Sequence, residues 1–287
     1  MPPKPPAPRP LPSPPKPRRP SPARDAALVL RRFPYGESSL VVHVLTRGHG
    51  RLSLLAKGAY RPRSGTCGVL DLFDTLELGW RRPARAEVGL LTSGALVVRR
   101  RGLTADLVRY RAGLGVLELA ALGAREGEAD PALFDLTVET LDALAAGVAA
   151  PALVEAAFDL RFLAAMGLAP ALVHCAACGS DQEAPGRGGG RRSLVPFALG
   201  DGGRLCEACA EDARARGRPV ETQPIGLLRI ARSLLDTPAA NLARLRLAPA
   251  VLAALRHWTA RFLEYHLETR PRSRRQPPGA RPAPTSR

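Results

Sequence analysis

The chain has 287 residues, 45% of them hydrophobic, enough for about two compact domains at roughly 150 residues each. That composition excludes disorder throughout. No apolar run approaches the roughly 18 to 20 residues that cross a bilayer, and no charged start leads into a short apolar stretch with a cleavage site, so a cytoplasmic chain with no membrane partner is expected.

The formal net charge of +16 is unevenly spread. Residues 1–24 carry six cations and no acid, and residues 270–287 carry the same. Residues 26–101 hold thirteen Lys and Arg against five acids, whereas residues 102–269 hold seventeen against twenty. Positive charge gathered on one folded segment points to a polyanion held by the first domain. Only three of the forty-two cations are Lys, so biased genome composition also contributes to the Arg count.

Residues 1–25 form a Pro-rich arm. Proline fixes φ and lacks an amide donor, so the arm is expected to be extended and without a packed core. Residues 270–287 read as a similar basic tail.

Residues 26–101 read as β structure. Branched and aliphatic stretches at 40–45, 52–56, 70–78 and 87–91 are separated by Gly, Pro and Asp. Over 70–80, period two puts Leu70, Leu72, Leu76, Leu78 and Trp80 on one face and Asp71, Phe73, Thr75 and Glu77 on the other. About five short strands suggest a small barrel, with an OB-fold as the leading candidate. In the third strand, Arg51, Ser53, Leu55 and Lys57 alternate with Leu52, Leu54 and Ala56. The turn that follows concentrates Lys57, Arg61 and Arg63 with Tyr60, a ring able to stack on a base. The competing reading of such a run is a solvated loop.

From residue 102 to 269 the period becomes helical. Leu103, Leu107, Tyr110, Leu114, Leu117 and Ala121 predict one amphipathic stripe. Asp130 and Pro131 predict the cap and first position of a second helix ending near Gly147, and Pro151 opens a third. A short helix is expected over 225–235. Pro249 opens the last, with Leu252, Leu255, Trp258, Phe262 and Tyr265 in its stripe. The expected fold is therefore α+β and multidomain: an N-terminal barrel and a helical bundle with a cysteine module inserted at about 171–215.

Cys175, Cys178, Cys206 and Cys209 form two C-x2-C pairs. Two such turns supply a tetrahedral set of thiolates at about 2.3 Å per bond, so one structural Zn2+ with no open position for catalysis is expected. Disulfides are disfavoured in a cytoplasmic setting, and no thioredoxin-like context accompanies either pair. His174 is an alternative ligand, and Cys67 reads as a lone thiol. Leu194, Val195 and Phe197 are expected to supply a strand of the intervening hairpin. The Gly-rich loop over 183–192 matches no phosphate-binding pattern and reads as a loop of the zinc module.

Tyr35-Gly-Glu37-Ser-Ser, 41–46, Gly50-Arg51-Leu52 and 57–64 resemble, in order and spacing, the N-terminal domain of the RecO family of bacterial DNA repair proteins. The likeness continues through the helices, the cysteine pairs and the segment from Arg261 to His266, over roughly 26–275. The resemblance implies a recombination mediator, not an enzyme, that is cytoplasmic and nucleoid-associated. It implies binding to single- and double-stranded DNA, strand annealing and, with RecR, loading of RecA onto DNA coated by single-stranded DNA-binding protein. By position, Lys57, Arg61 and Arg63 match the family's basic turn and Arg51 its basic strand. Glu37 matches a recurrent acidic position. Charge and strand logic extend the DNA-binding patch to Arg47, Arg81 and Arg82. The family's groove for the tail of single-stranded DNA-binding protein uses a basic residue where this chain has Ala156 and Ala157, leaving Arg161 as a substitute. The alternative function is a non-repair, RNA-binding adaptor with a zinc-stabilised interaction domain.

Overall fold

A computed structural model describes residues 22–62, 64, 68–82, 87–181 and 193–274. Five strands form a closed barrel in the order β1-β2-β3-β5-β4: β1 (Ala23–Tyr35), β2 (Ser39–Thr46), β3 (Gly50–Ala56), β4 (Thr75–Arg81) and β5 (Gly89–Val98). Antiparallel pairing joins β1 to β2 and β4, β2 to β3, and β4 to β5, while a short parallel pairing of Leu54 and Leu55 with Gly89 and Leu90 closes the ring. The barrel is OB-like.

Alternation builds the barrel interior. Val42 and Val44 on β2 and Leu52, Leu54 and Ala56 on β3 are buried, with Leu76, Leu78 and Trp80 completing the core. β1 is longer than the sequence suggested because its two halves serve different neighbours. Ala27 and Val29 point into the barrel, while Leu28 and Leu30 join the core of the helical part. A bulge leaves Leu30 outside the ladder between the pairs Val29–Val44 and Arg31–His43, which turns the second half of the strand outward.

Alternation over 70–80 holds only from Thr75 onward. Residues 70–74 are irregular, and Phe73 has φ of 71° and is buried against the helices, its ring edge-on to Tyr110 at 5.3 Å. Packing against a close helix overrides the strand period there. A Cβ on Gly113 would meet the Phe73 ring at 2.9 Å, so that helix needs glycine to approach.

Among the described residues seven α-helices follow: α1 (Arg101–Thr104), α2 (Leu107–Gly123), α3 (Pro131–Ala146), α4 (Pro151–Ala165), α5 (Glu207–Ala215), α6 (Ile225–Asp236) and α7 (Pro249–His266). The predicted ends of α3 are as expected: Asp130 accepts from the Leu133 amide at 2.9 Å, Pro131 opens the helix and Gly147 closes it at φ of 65°. α4 is buried along most of its length and packs against α2, α3, α6 and α7.

The predicted first stripe is corrected in two ways. Leu103 and Leu117 are buried as expected, but the chain breaks between α1 and α2, and α2 also buries Ala112, Val116, Leu119 and Ala120 while leaving Leu107 and Leu114 exposed. In α7, Leu255, Trp258 and Phe262 are buried as expected, whereas Tyr265 is exposed.

Between α4 and α6 lies a small sheet of order β7-β6-β8: β6 (Leu194–Ala198), β7 (Gly203–Arg204) and β8 (Glu221–Pro224). β6 is the strand expected at Leu194, Val195 and Phe197. Of the tail expected from 270, residues 272–274 form a 3-10 turn whose Arg274 is buried. Among the described residues no helix is long and apolar enough to cross a membrane.

Candidate nucleic-acid interface and metal centre

The two C-x2-C pairs converge. The four sulfur atoms of Cys175, Cys178, Cys206 and Cys209 lie within 4.8 Å of one another, against about 3.8 Å for a tetrahedron with roughly 2.3 Å bonds. Gly179, at φ of 71°, lets its amide return to the Cys175 carbonyl at 2.9 Å, which makes the first turn tight. In the second, the Cys209 amide donates to the Cys206 sulfur at 3.4 Å as α5 begins, and the Cys206 amide donates to Cys175 at 3.3 Å. Hydrogen bonds from Ser180 hold the Cys178 thiol down to about 6, whereas its bonds with Cys206 and Cys178 push Cys209 up to about 12. Ala198, Leu205, Ala210 and Ala213 form a small apolar floor. This all-sulfur set can hold a metal ion. The alternative ligand His174 instead turns its Nδ1 to Asp181 at 2.5 Å.

The expected DNA-binding residues fall into two groups. Arg51 and Lys57 sit at opposite ends of β3, about 20 Å apart at roughly 3.3 Å per residue. At the first end the cations meet the helical part. Arg47 grips Asp135 with two hydrogen bonds of 2.9 and 2.8 Å, raising its own pKa and holding the Asp135 carboxyl below its usual range. Arg51 donates to the Ala121 carbonyl at 3.1 Å, and its backbone pairs with residues 125 and 127. Gly50 makes this approach possible: it has φ of 66°, and a Cβ there would lie 2.0 Å from the Glu128 carbonyl oxygen. Arg82 lies 3.6 Å from Glu126. Arg81, at the end of β4, buries its Nε without a partner among the described residues.

At the other end, Lys57, Tyr60 and Arg61 are exposed, and neither cation has an acidic partner among the described residues. The turn is held by backbone bonds from Arg61 to Gly58 and from Ser64 to Arg61, at 3.0 and 2.9 Å. It is tied to the β1–β2 turn, because the Tyr60 amide donates to the Ser38 carbonyl at 3.0 Å and the Gly58 amide to the Ser39 hydroxyl at 3.3 Å. Arg63, Cys67 and residues 183–192 lie outside the described residues.

Two features had no expected role. The outer face of β1 carries Arg31, Phe33 and Tyr35, exposed beside the basic turn, and their period of two was the available signal. A cleft of about 1100 Å³ opens between β1, α2 and the start of α4, with Leu30, Leu72, Val108 and Leu114 on its walls and Arg111 and Arg272 among its cations. Arg161 is outside this lining and bridges to Glu139 at 3.0 and 3.2 Å. Ala156 and Ala157 are buried.

Comparison with known proteins agrees with this architecture. The family description "Recombination protein O N terminal" matches residues 21–99, and "Recombination protein O C terminal" matches residues 104–275. A protein named DNA repair protein RecO from Anaeromyxobacter dehalogenans is 36% identical over 256 residues, covering 88% of this chain and 94% of that protein. Proteins of the same name from Bacillus subtilis and Streptomyces coelicolor are 30% and 32% identical, covering 71% and 82% of this chain and 74% and 93% of their own lengths.

Proposed function

The chain belongs to the RecO family of DNA repair proteins, and on that premise we propose that it is a recombination mediator. It binds single- and double-stranded DNA, anneals complementary strands and, with RecR, helps load RecA onto DNA coated by single-stranded DNA-binding protein. The observation that supports DNA binding most directly is the exposed turn at 57–61. Its cations face solvent without an acidic partner among the described residues, while the Arg47 and Arg82 charges are answered by Asp135 and Glu126.

The mechanism breaks no bond. Cations that neutralise phosphates on two strands lower their mutual repulsion, and pairing between bases supplies sequence selection. Protein contacts are accordingly sequence-tolerant. If five cations release condensed counterions from single strands, the log-log salt slope is about −3.5, from roughly 0.7 per phosphate.

Zn2+ fits the all-sulfur set. It would be held by Cys175, Cys178, Cys206 and Cys209, and it would supply a structural cross-link between the two cysteine pairs. Thiols from the loop after α4 and from the start of α5 thereby brace the inserted module. The acidic tail of single-stranded DNA-binding protein is the remaining partner. For Arg161 to receive it, a tail carboxylate must replace Glu139.

Annealing of complementary DNA strands coated with single-stranded DNA-binding protein, run beside equivalent RNA strands, tests the reading. Acceleration on coated DNA is expected. Its absence, with RNA bound tightly, favours an RNA-binding adaptor.

A further inference from the structure

A basic turn explains a grip on phosphates, which single and double strands share, and offers the bases a single ring, Tyr60, 48% exposed. The outer face of the β1–β2 hairpin is placed to supply one. After the bulge at Leu30, the outward residues of β1 are Arg31, Phe33 and Tyr35, paired with His43, Val41 and Ser39 of β2. Beyond them lie Ser53 and Leu55 of β3. None of these eight positions is acidic.

Phe33 is 41% and Tyr35 61% exposed. Removing such rings from water is favourable, so two of them side by side on an exposed face are more informative than either alone. They are spaced by about 6.8 Å along the strand, twice the rise of roughly 3.4 Å per residue. The His43 ring lies 5.2 Å from that of Phe33, and burial together with Arg51 and Arg31 keeps its pKa below the usual value despite Glu126. The backing of Phe33 is therefore a neutral ring, not a competing charge. At the Tyr35 end the face runs into the tied turn bearing Lys57, Tyr60 and Arg61, and Arg31 stands at the other end.

We propose that this face is a stacking platform for the unpaired bases of a single strand, with Phe33 and Tyr35 as the ring surfaces and Arg31, Lys57 and Arg61 holding the flanking phosphates. The platform rests on the DNA-binding reading and adds a preference to it. A duplex hides its base faces in its own stack, so only an unpaired strand gains from the rings. Charge complementarity selects a polyanion as the occupant.

The test measures binding of three ligands of equal length to the full chain: a thymidine oligonucleotide, an abasic oligonucleotide with the same phosphates, and a duplex. The wild-type protein is expected to prefer the thymidine strand to the abasic one by at least about 10-fold, given the strength of base–aromatic stacking. Combined F33A and Y35A substitution is expected to remove most of that preference and Y60A, added to it, the rest, leaving duplex affinity and the salt slope unchanged. F33Y with Y35F restores it, and an unchanged thermal midpoint establishes folding. Equal loss on all three ligands, or an unaltered preference in the alanine variant, overturns the platform while leaving the phosphate grip standing. Loss of binding to an acidic aromatic peptide, with the oligonucleotides unaffected, also overturns it and makes the face a protein-docking surface. A wild-type protein that binds none of the three fails the parent reading itself.

Discussion

The guanidinium of Arg274 lies against the carboxylate of Asp159, with Nε 2.9 Å from Oδ2 and Nη2 2.5 Å from Oδ1, and both side chains are buried. Nη1 reaches Glu155 at 2.9 Å, and Glu118 accepts the amides of Arg272 and Ser273, both at 2.8 Å. The segment after α7 is thereby fastened between α2 and α4. Removing one partner of a buried pair leaves the other charge uncompensated, which costs about 3–5 kcal/mol. R274A is expected to lower unfolding stability by that amount in a urea titration. R274M combined with D159L and E155L is expected to recover most of it, because matched apolar groups do not need the lost charge.

Arg47 and Lys57 are both exposed cations of the barrel, yet Arg47 is already engaged by Asp135. A phosphate at Arg47 must displace two charge-assisted hydrogen bonds, whereas one at Lys57 displaces no acidic partner among the described residues. K57A and R61A are each expected to reduce the salt slope for single strands by about 0.7, with R47A producing a smaller change. Fluorescence anisotropy at several salt concentrations measures all three. Equal slopes for R47A and K57A would show that the Asp135 pair opens on binding.

Much of this architecture was legible locally. The cysteine spacing announced the four-thiol cluster, Asp130, Pro131 and Gly147 marked the ends of α3, and period two in β3 identified its buried face. What escaped depends on distant partners. Arg51 is satisfied by a carbonyl 70 positions away, Arg47 by an acid 88 positions away, and Arg274 by one 115 positions away. No local pattern distinguishes such arginines from ones left for phosphate. The two-sided burial of β1 and the left-handed Phe73 likewise follow from the helices that pack on the barrel, so a period read within one segment could not find them.

The proposed zinc site predicts that the folding of the module depends on metal. Thiols must lose their protons to bind, so acid and chelators act in the same direction. One equivalent of zinc per chain is expected by metal analysis. C206S is expected to lose it, together with protection of β6 and α5 from hydrogen exchange, while the barrel strands retain theirs. Zinc-free protein with full protection over 194–215 would contradict this assignment.

His43 and His266 both have pKa values lowered from the ordinary 6.5, chiefly by burial. Around His43, Arg51 and Arg31 reinforce the shift and Glu126 opposes it; at His266, the Leu199 backbone opposes it. The unfolded chain then takes up these protons at higher pH than the folded one. Their contribution is therefore complete above 6.5 and declines as pH falls from there through the folded values. Urea midpoints are expected to fall between pH 7.5 and 5.5, and H43Q combined with H266Q is expected to flatten that dependence.

The most direct measurement is annealing of complementary strands by protein in which Lys57, Arg61 and Arg63 are all replaced by Ala. A drop of at least about 10-fold, consistent with losing up to three phosphate contacts, is predicted with the thermal midpoint and zinc content unchanged. Annealing at the wild-type rate by that folded variant would contradict the barrel turn as the grip on the polynucleotide backbone.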